Sequence, residues 1–196
     1  TIFFIKIFLN NFKSVIACLS MKVAFINPPF LKSYSRASRS PAVTKSATIY
    51  YPIFLSLAAA YVEKFGHDIL LIDAPADNVE LEPLLVKLQS FSPDICVIDT
   101  STPSIYNDAN VGTKIKTKLP NCIVMLVGNH VSALPEETLQ LSESKGIDAI
   151  AVGEYDGIIA DIANALTKNL NWRATPGLVY KKDGILASTN RRTHIE

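Results

Sequence analysis

The chain has 196 residues, 48% hydrophobic and 19% charged, which is enough apolar material to enclose one substantial core and too much for a disordered segment. Nineteen Lys and Arg against 18 Asp and Glu leave a formal net charge of +1, so no overall field draws in a nucleic-acid backbone and nucleic acid is not an expected partner. Cys18, Cys96 and Cys122 stand too far apart for a C-x-x-C or C-x-x-x-C-x-x-C group, which excludes an iron–sulfur or zinc site of that kind built by this chain alone.

Residues 1–20 are apolar, but Lys6, Asn10, Asn11, Lys13 and Ser14 interrupt them, leaving no run near the roughly 18 residues of a membrane span. No small-x-small cleavage site precedes Met21, which itself directly precedes the strand-like run Lys22–Asn27. Residues 1–20 are therefore expected to be upstream sequence outside the working protein.

From Met21 onward, continuous apolar runs recur at Val23–Ile26, Ile69–Ile72, Ile95–Ile98, Ile123–Val127 and Ala149–Val152. Continuous rather than alternating runs fit parallel strands covered on both faces. Helix-period segments lie between them. Phe54, Leu57, Ala58, Tyr61, Val62 and Phe65 follow the helical pattern up to Gly66; Leu81, Leu84, Leu85 and Leu88 repeat it, as do Ile105, Ala109, Gly112 and Ile115, and Ile158, Ile159, Ile162 and Leu166. A shorter helix is predicted over Pro135–Ser144, with Pro135 in its first turn and Glu136 and Glu137 at the positive end of its dipole.

The last four strands start 26, 28 and 26 residues apart, the length of a β-loop-α-loop unit, and right-handed crossovers then give a doubly wound five-stranded parallel sheet. The first interval is longer, and its surplus is the polar stretch Phe30–Thr48, with Lys32, Arg36, Arg39 and Lys45 among Ser and Thr. Gly177–Tyr180 and Ile185–Ser188 flank Asp183-Gly184, which suits a tight C-terminal β-hairpin.

In such a sheet the ligand crevice lies outside the carboxyl ends of the strands. The loops there read Asn27-Pro28-Pro29, Asp99-Thr100-Ser101-Thr102-Pro103-Ser104, Gly128-Asn129-His130-Val131-Ser132 and Gly153-Glu154-Tyr155. The first has two prolines where a dinucleotide or phosphate loop needs glycines and free amides, so nicotinamide and P-loop readings fail. Asp99 lacks the acidic pair of a phosphoacceptor, and no nucleophile–base pair is evident, so no catalytic residue is assigned. Hydroxyls after the third strand and Gly128 and Gly153 after the fourth and fifth suit a large, amide-edged ligand. The same Ser and Thr could instead only cap helices. His67 lies on the opposite edge and reads as structural, His194 lies in the tail, and Cys96 and Cys122 read as small buried apolar groups.

At these loops the sequence resembles the cobalamin-binding domain that precedes the barrel in B12-dependent radical SAM enzymes. The likeness spans roughly Met21 to Ser188 and rests on Asn27-Pro28-Pro29, Ala60–His67, Thr100–Ser104, His130–Glu137 and Gly153-Glu154. Where many relatives have Gly-Gly-Pro before the histidine, this chain has Val127-Gly128-Asn129. The resemblance implies a Rossmann-like or flavodoxin-like α/β domain over 21–170, then the hairpin and the start of a linker over 171–196. It implies corrinoid contacts from Asn27, Pro28, Thr100, Ser101, Thr102, Ser104, Ile105, Gly128, Asn129, His130, Val131, Gly153 and Glu154, with no protein ligand to the metal. The D-x-H-x-x-G motif that supplies a histidine to cobalt in better-known cobalamin domains is absent, so the implied cobalamin is base-off. S-adenosylmethionine and a [4Fe-4S] cluster are expected only in a radical SAM barrel in cis beyond residue 196. The basic stretch 30–48 is expected to cover the corrin, meet that barrel or pair with the tail phosphate, or else to be a solvated loop. The expected function is a cytoplasmic cobalamin carrier, not catalytic alone, serving methyl transfer or other radical chemistry. The alternative is a regulatory or partner-binding domain that has lost the corrinoid.

Overall fold

A computed structural model describes residues 20–37, 41–43 and 48–192. Cys18 with the segment before Ser20, Arg39 and Lys45 of the basic stretch, and His194 lie outside them.

In chain order the strands are β1 (Lys22–Asn27), β2 (Tyr34–Ser35), β3 (Ala42–Val43), β4 (Asp68–Asp73), β5 (Ile95–Asp99), β6 (Ile123–Val127), β7 (Ala149–Ala151), β8 (Leu178–Lys182) and β9 (Ile185–Ser188). The helices are α1 (Ile53–Glu63), α2 (Ala74–Asp77), α3 (Leu81–Phe91), α4 (Ile105–Lys118), α5 (Asn129–Ala133), α6 (Pro135–Gln140) and α7 (Asp156–Thr167). The main sheet runs β4-β1-β5-β6-β7-β8-β9. Its first five strands are parallel, with Val23 of β1 registered on Ile69 and on Ile95. β8 is antiparallel to β7, and β9 to β8, so the C-terminal hairpin continues the sheet rather than standing apart. Asp183 and Gly184 both take positive φ, as its tight turn requires.

Alternate strand residues face opposite layers, so the continuous apolar runs feed two cores. On one side Ala24, Ile26, Cys96, Ile98, Val124 and Leu126 pack with Leu84, Leu88, Ala109, Ile115 and Leu139 of α3, α4 and α6. On the other, Val23, Phe25, Ile95, Val97, Met125 and Val127 pack with Leu55, Ala58, Val62, Ile158, Ile159 and Ile162 of α1 and α7. Gly112 lets α4 press onto the sheet, because a Cβ there would lie 2.5 Å from Ile147 Cδ1.

The buried stripe of α1 differs from the one its spacing suggests. Leu55, Ala58, Ala59 and Val62 face inward, whereas Phe54 is 75% and Leu57 60% exposed. α1 is held between the sheet and α7, and the two alanines permit that approach where rings would not. The predicted Pro135–Ser144 helix is α6 followed by a separate 3-10 turn at Ser142–Ser144, broken by extended backbone at Leu141.

Because β4 lies on one side of β1 and β5 on the other, the chain reverses its direction of travel between β1 and β5. Asn27, Asp73, Asp99, Val127 and Ala151 all end their strands at this edge.

Candidate functional site

At the β1–β5 end, the edge is filled by the chain itself. β2 pairs antiparallel with β3, Tyr34 opposite Val43, and Tyr34, Ser35 and Arg36 are buried. Arg36 Nη2 stands 2.5 Å from Asp108 Oδ1 of α4, and both side chains are almost wholly buried. Its Nη1 donates to Asn27 Oδ1 at 2.9 Å and to the Pro28 carbonyl at 2.6 Å. Asn27 Nδ2 in turn donates to Asp73 Oδ1 at 2.7 Å. The guanidinium also lies over the Tyr34 and Phe30 rings, 5.3 and 5.9 Å from their centroids.

The hydroxyls after β5 join this network. Ser104 Oγ donates to Asp108 Oδ2 at 2.5 Å and lies 2.6 Å from Ser101 Oγ, which lies 2.7 Å from the Tyr34 hydroxyl. Thr100 Oγ1 donates to the Val127 carbonyl at 2.7 Å. Buried polar groups need such partners, and here Ser101 and Ser104 find them within the chain.

The Arg36 guanidinium bears on three carboxyls, Asp108, Asp99 and Asp73, and burial dominates their electrostatics. It raises Asp108 against the pull of Arg36 and the hydrogen bonds from Arg36, Ser104 and Asn107. It raises Asp73 against the Asn27 hydrogen bond. It drives Asp99 up to about 7, with Arg36 opposing and Asp108 and Asp73 adding to the rise.

The β6–β7 end is open and is built from main chain. Gly128, at φ +113°, turns β6 into α5 so closely past β5 that a Cβ would lie 2.8 Å from the Thr100 carbonyl and 3.1 Å from Asp99 Oδ1. Gly153, at φ +86°, follows β7 with nothing within 4 Å of where its Cβ would be. Ser132 ties the two loops: its Oγ donates to the Gly128 carbonyl at 2.8 Å and accepts the Gly153 amide at 2.9 Å. His130 Nδ1 lies 3.2 Å from Thr102 Oγ1.

The thirteen residues singled out from sequence thus separate into two sets. Asn27, Pro28, Thr100, Ser101, Ser104, Ile105 and Val131 are buried, and the polar groups of Asn27, Thr100, Ser101 and Ser104 bond within the chain. Thr102, Asn129, Gly153 and Glu154 are exposed, and Gly128 and His130 half-buried, around the open end. Within the described part of the basic stretch Lys32 is exposed, whereas Arg36 is buried and bonded to Asp108, Asn27 and the Pro28 carbonyl. His67 sits at the opposite edge, its Nδ1 accepting the Met21 amide at 3.2 Å. Cys96 and Cys122 are buried free thiols, and their mutual hydrogen bond, with burial, pushes Cys96 well up. Among the described residues no three His, Cys, Asp or Glu side chains gather as a metal-ligand set, and no helix is long and apolar enough to cross a membrane.

Sequence reasoning missed Tyr34, Asp108 and Tyr155. Asp108 carried a signal, since it falls on the apolar stripe of Ile105, Ala109, Gly112 and Ile115, where an acid needs a buried partner. Tyr155 precedes α7, is 8% exposed, and buries its hydroxyl without a hydrogen-bond partner. Nothing in its local sequence marks it.

The family model for the B12 binding domain matches residues 39–163, more than half of the chain. An uncharacterized methyltransferase of Pyrococcus horikoshii is 28% identical over 164 residues, covering 84% of this chain and 33% of its own length. An anaerobic magnesium-protoporphyrin IX monomethyl ester cyclase of Cereibacter sphaeroides is 26% identical over 146 residues, 74% of this chain and 22% of its own. The chain therefore spans a third or less of these relatives. Among solved structures, the radical S-adenosylmethionine methyltransferase TsrM from Kitasatospora setae superposes with a TM-score of 0.69 at 16% identity, over 87% of this chain and 30% of that one. The cobalamin-dependent S-adenosylmethionine radical enzyme OxsB, with aqua-cobalamin and S-adenosylmethionine bound, gives 0.71 at 16% identity, over 90% and 23%. These two likenesses establish the mixed α/β fold with its mostly parallel sheet.

Proposed function

The chain belongs to the B12-binding domain family, and from that premise we propose that the open β5–β6–β7 end of its sheet edge seats a cobalamin for a longer, methyltransferase-like radical SAM enzyme. The observation that carries this reading is the pair Gly128 and Gly153, bridged by Ser132 and presenting bare main chain. A broad ring edged with amides can approach such a surface because no Cβ stands in its way, and Thr102, Asn129, His130 and Glu154 border it.

When bound, the cobalamin supplies a cobalt able to take a methyl group from S-adenosylmethionine and pass it to a substrate. This chain's share of the work is binding, orientation and exclusion of water. S-adenosylmethionine and a [4Fe-4S] cluster fall, on this reading, to a radical SAM domain in cis. We take the cobalamin as base-off, with no histidine from the loop after β1, which offers prolines instead. The free thiols of Cys96 and Cys122 are in keeping with a reducing, cytoplasmic setting.

The test is titration of the purified chain with hydroxocobalamin. Co-elution on gel filtration with a base-off absorption spectrum is expected. No retention at roughly tens of micromolar ligand, a binding free energy near 6 kcal/mol, overturns the reading.

A further inference from the structure

Residues 30–37 lie over the β1–β5 end, and what holds them there is largely polar. Arg36 reaches Asp108, Asn27 and the Pro28 carbonyl, and the Tyr34 hydroxyl reaches Ser101. Asn107 Nδ2 donates to the Pro29 carbonyl at 2.8 Å, and Ser35 Oγ accepts the Tyr50 amide at 3.0 Å. Of the apolar residues in this stretch only Tyr34 is fully buried, and Leu31 is 54% exposed. Ser33 takes φ +56°, a conformation that residues with a Cβ rarely adopt. Apolar side chains of similar volume commonly hold a loop as firmly as a buried ion pair does, but only the ion pair fails outright when one partner is lost.

The ground these residues cover is the ligand edge. The chain reverses its direction of travel between β1 and β5, and open α/β sheets take their ligands at such a point. Ser101 and Ser104 after β5 are turned to Tyr34 and Asp108 instead. β5 and β7 lie two strand spacings apart, about 10 Å. A corrin with its amide arms is wider than that, so one resting on Gly128 and Gly153 overhangs toward β1 and meets residues 30–37.

We infer that residues 30–37 are a latch closed over the ligand edge, fastened by Tyr34 and by the Arg36–Asp108 pair, which a corrinoid displaces when it binds. The inference rests on the corrinoid reading above and adds a control of access that the reading does not contain. A site that is closed in most molecules binds with an apparent dissociation constant raised by the scarcity of the open form, so whatever loosens the latch tightens binding. A stretch that served as a floor beneath the ligand would have the opposite sign, because loosening it would weaken binding.

Hydroxocobalamin affinity of the chain and two variants tests the sign. Asp108→Ala removes the partner of Arg36 and should bind about tenfold more tightly than the wild type. Tyr34→Phe removes only the hydroxyl that meets Ser101, is the milder change for the fold, and should bind about three- to tenfold more tightly. The double variant Arg36→Met with Asp108→Leu fastens the stretch by apolar contact and should return toward the wild-type affinity. Hydrogen exchange read by mass spectrometry supplies a second measurement: amides of residues 30–37 should exchange faster in the wild type once hydroxocobalamin is bound. Affinity that is unchanged or weaker in both Asp108→Ala and Tyr34→Phe, or exchange over 30–37 that slows on binding, overturns the latch while the corrinoid reading stands. Failure of the wild type to bind hydroxocobalamin overturns that reading, and the latch with it.

Discussion

Asp108 shows how one side chain can commit a whole loop. Its carboxylate and the Arg36 guanidinium are both withdrawn from water, so each is tolerable only because of the other. Asp108→Ala should lower stability by about 3 kcal/mol, limited by the cost of releasing residues 30–37 so that Arg36 can rehydrate. The double variant Arg36→Met with Asp108→Leu should recover most of that loss, and urea midpoints of the three proteins check both statements. Asp99 is a different case, because its folded value of about 7 lies above the ordinary 3.8. Its contribution to stability is fully present below about pH 4 and is lost as pH rises through 7. Asp99→Asn should therefore be more stable than the wild type at pH 8, with the advantage shrinking toward pH 4. His67, lowered by burial against Asn164 and Asp68, costs stability as pH falls below 6.5. Both proteins contain it, so it cancels in the comparison.

Among the elements, α1 separates pattern from packing. Its sequence announces a helix correctly, yet Phe54 and Leu57 lie outside while Ala58 and Ala59 lie inside. Periodicity registers where apolar residues recur, whereas the space between sheet and α7 chooses the smaller ones. The turns after β6 and β7 invite a paired experiment. At Gly128 a side chain meets the Thr100 carbonyl, so Gly128→Val should cost several kcal/mol, from about 1–3 of positive-φ strain plus a backbone clash. At Gly153 the space is open, so Gly153→Ala should cost only about 1 kcal/mol while placing a methyl group on the surface assigned to the corrinoid. Thermal unfolding measures the first effect. For the second, a hydroxocobalamin affinity that does not fall in a folded Gly153→Ala protein argues against the placement of the ring.

At the scale of the molecule, seven strands in one sheet are assembled from features of very unequal range. The five parallel strands, the helices between them and the Asp183-Gly184 hairpin were legible because each depends on its own residues: continuous Ile and Val runs, helical spacing, and a turn that needs positive φ. The motifs that mark the family were legible for the same reason, being short and local, and the edge they occupy follows from the topology. The division of that edge was not. That Ser101 bonds to Tyr34, and Arg36 to Asp108, depends on residues 67 and 72 positions apart meeting in space. A buried charge takes whichever countercharge the fold brings to it, and that proximity is a property of the packed chain rather than of any stretch of it.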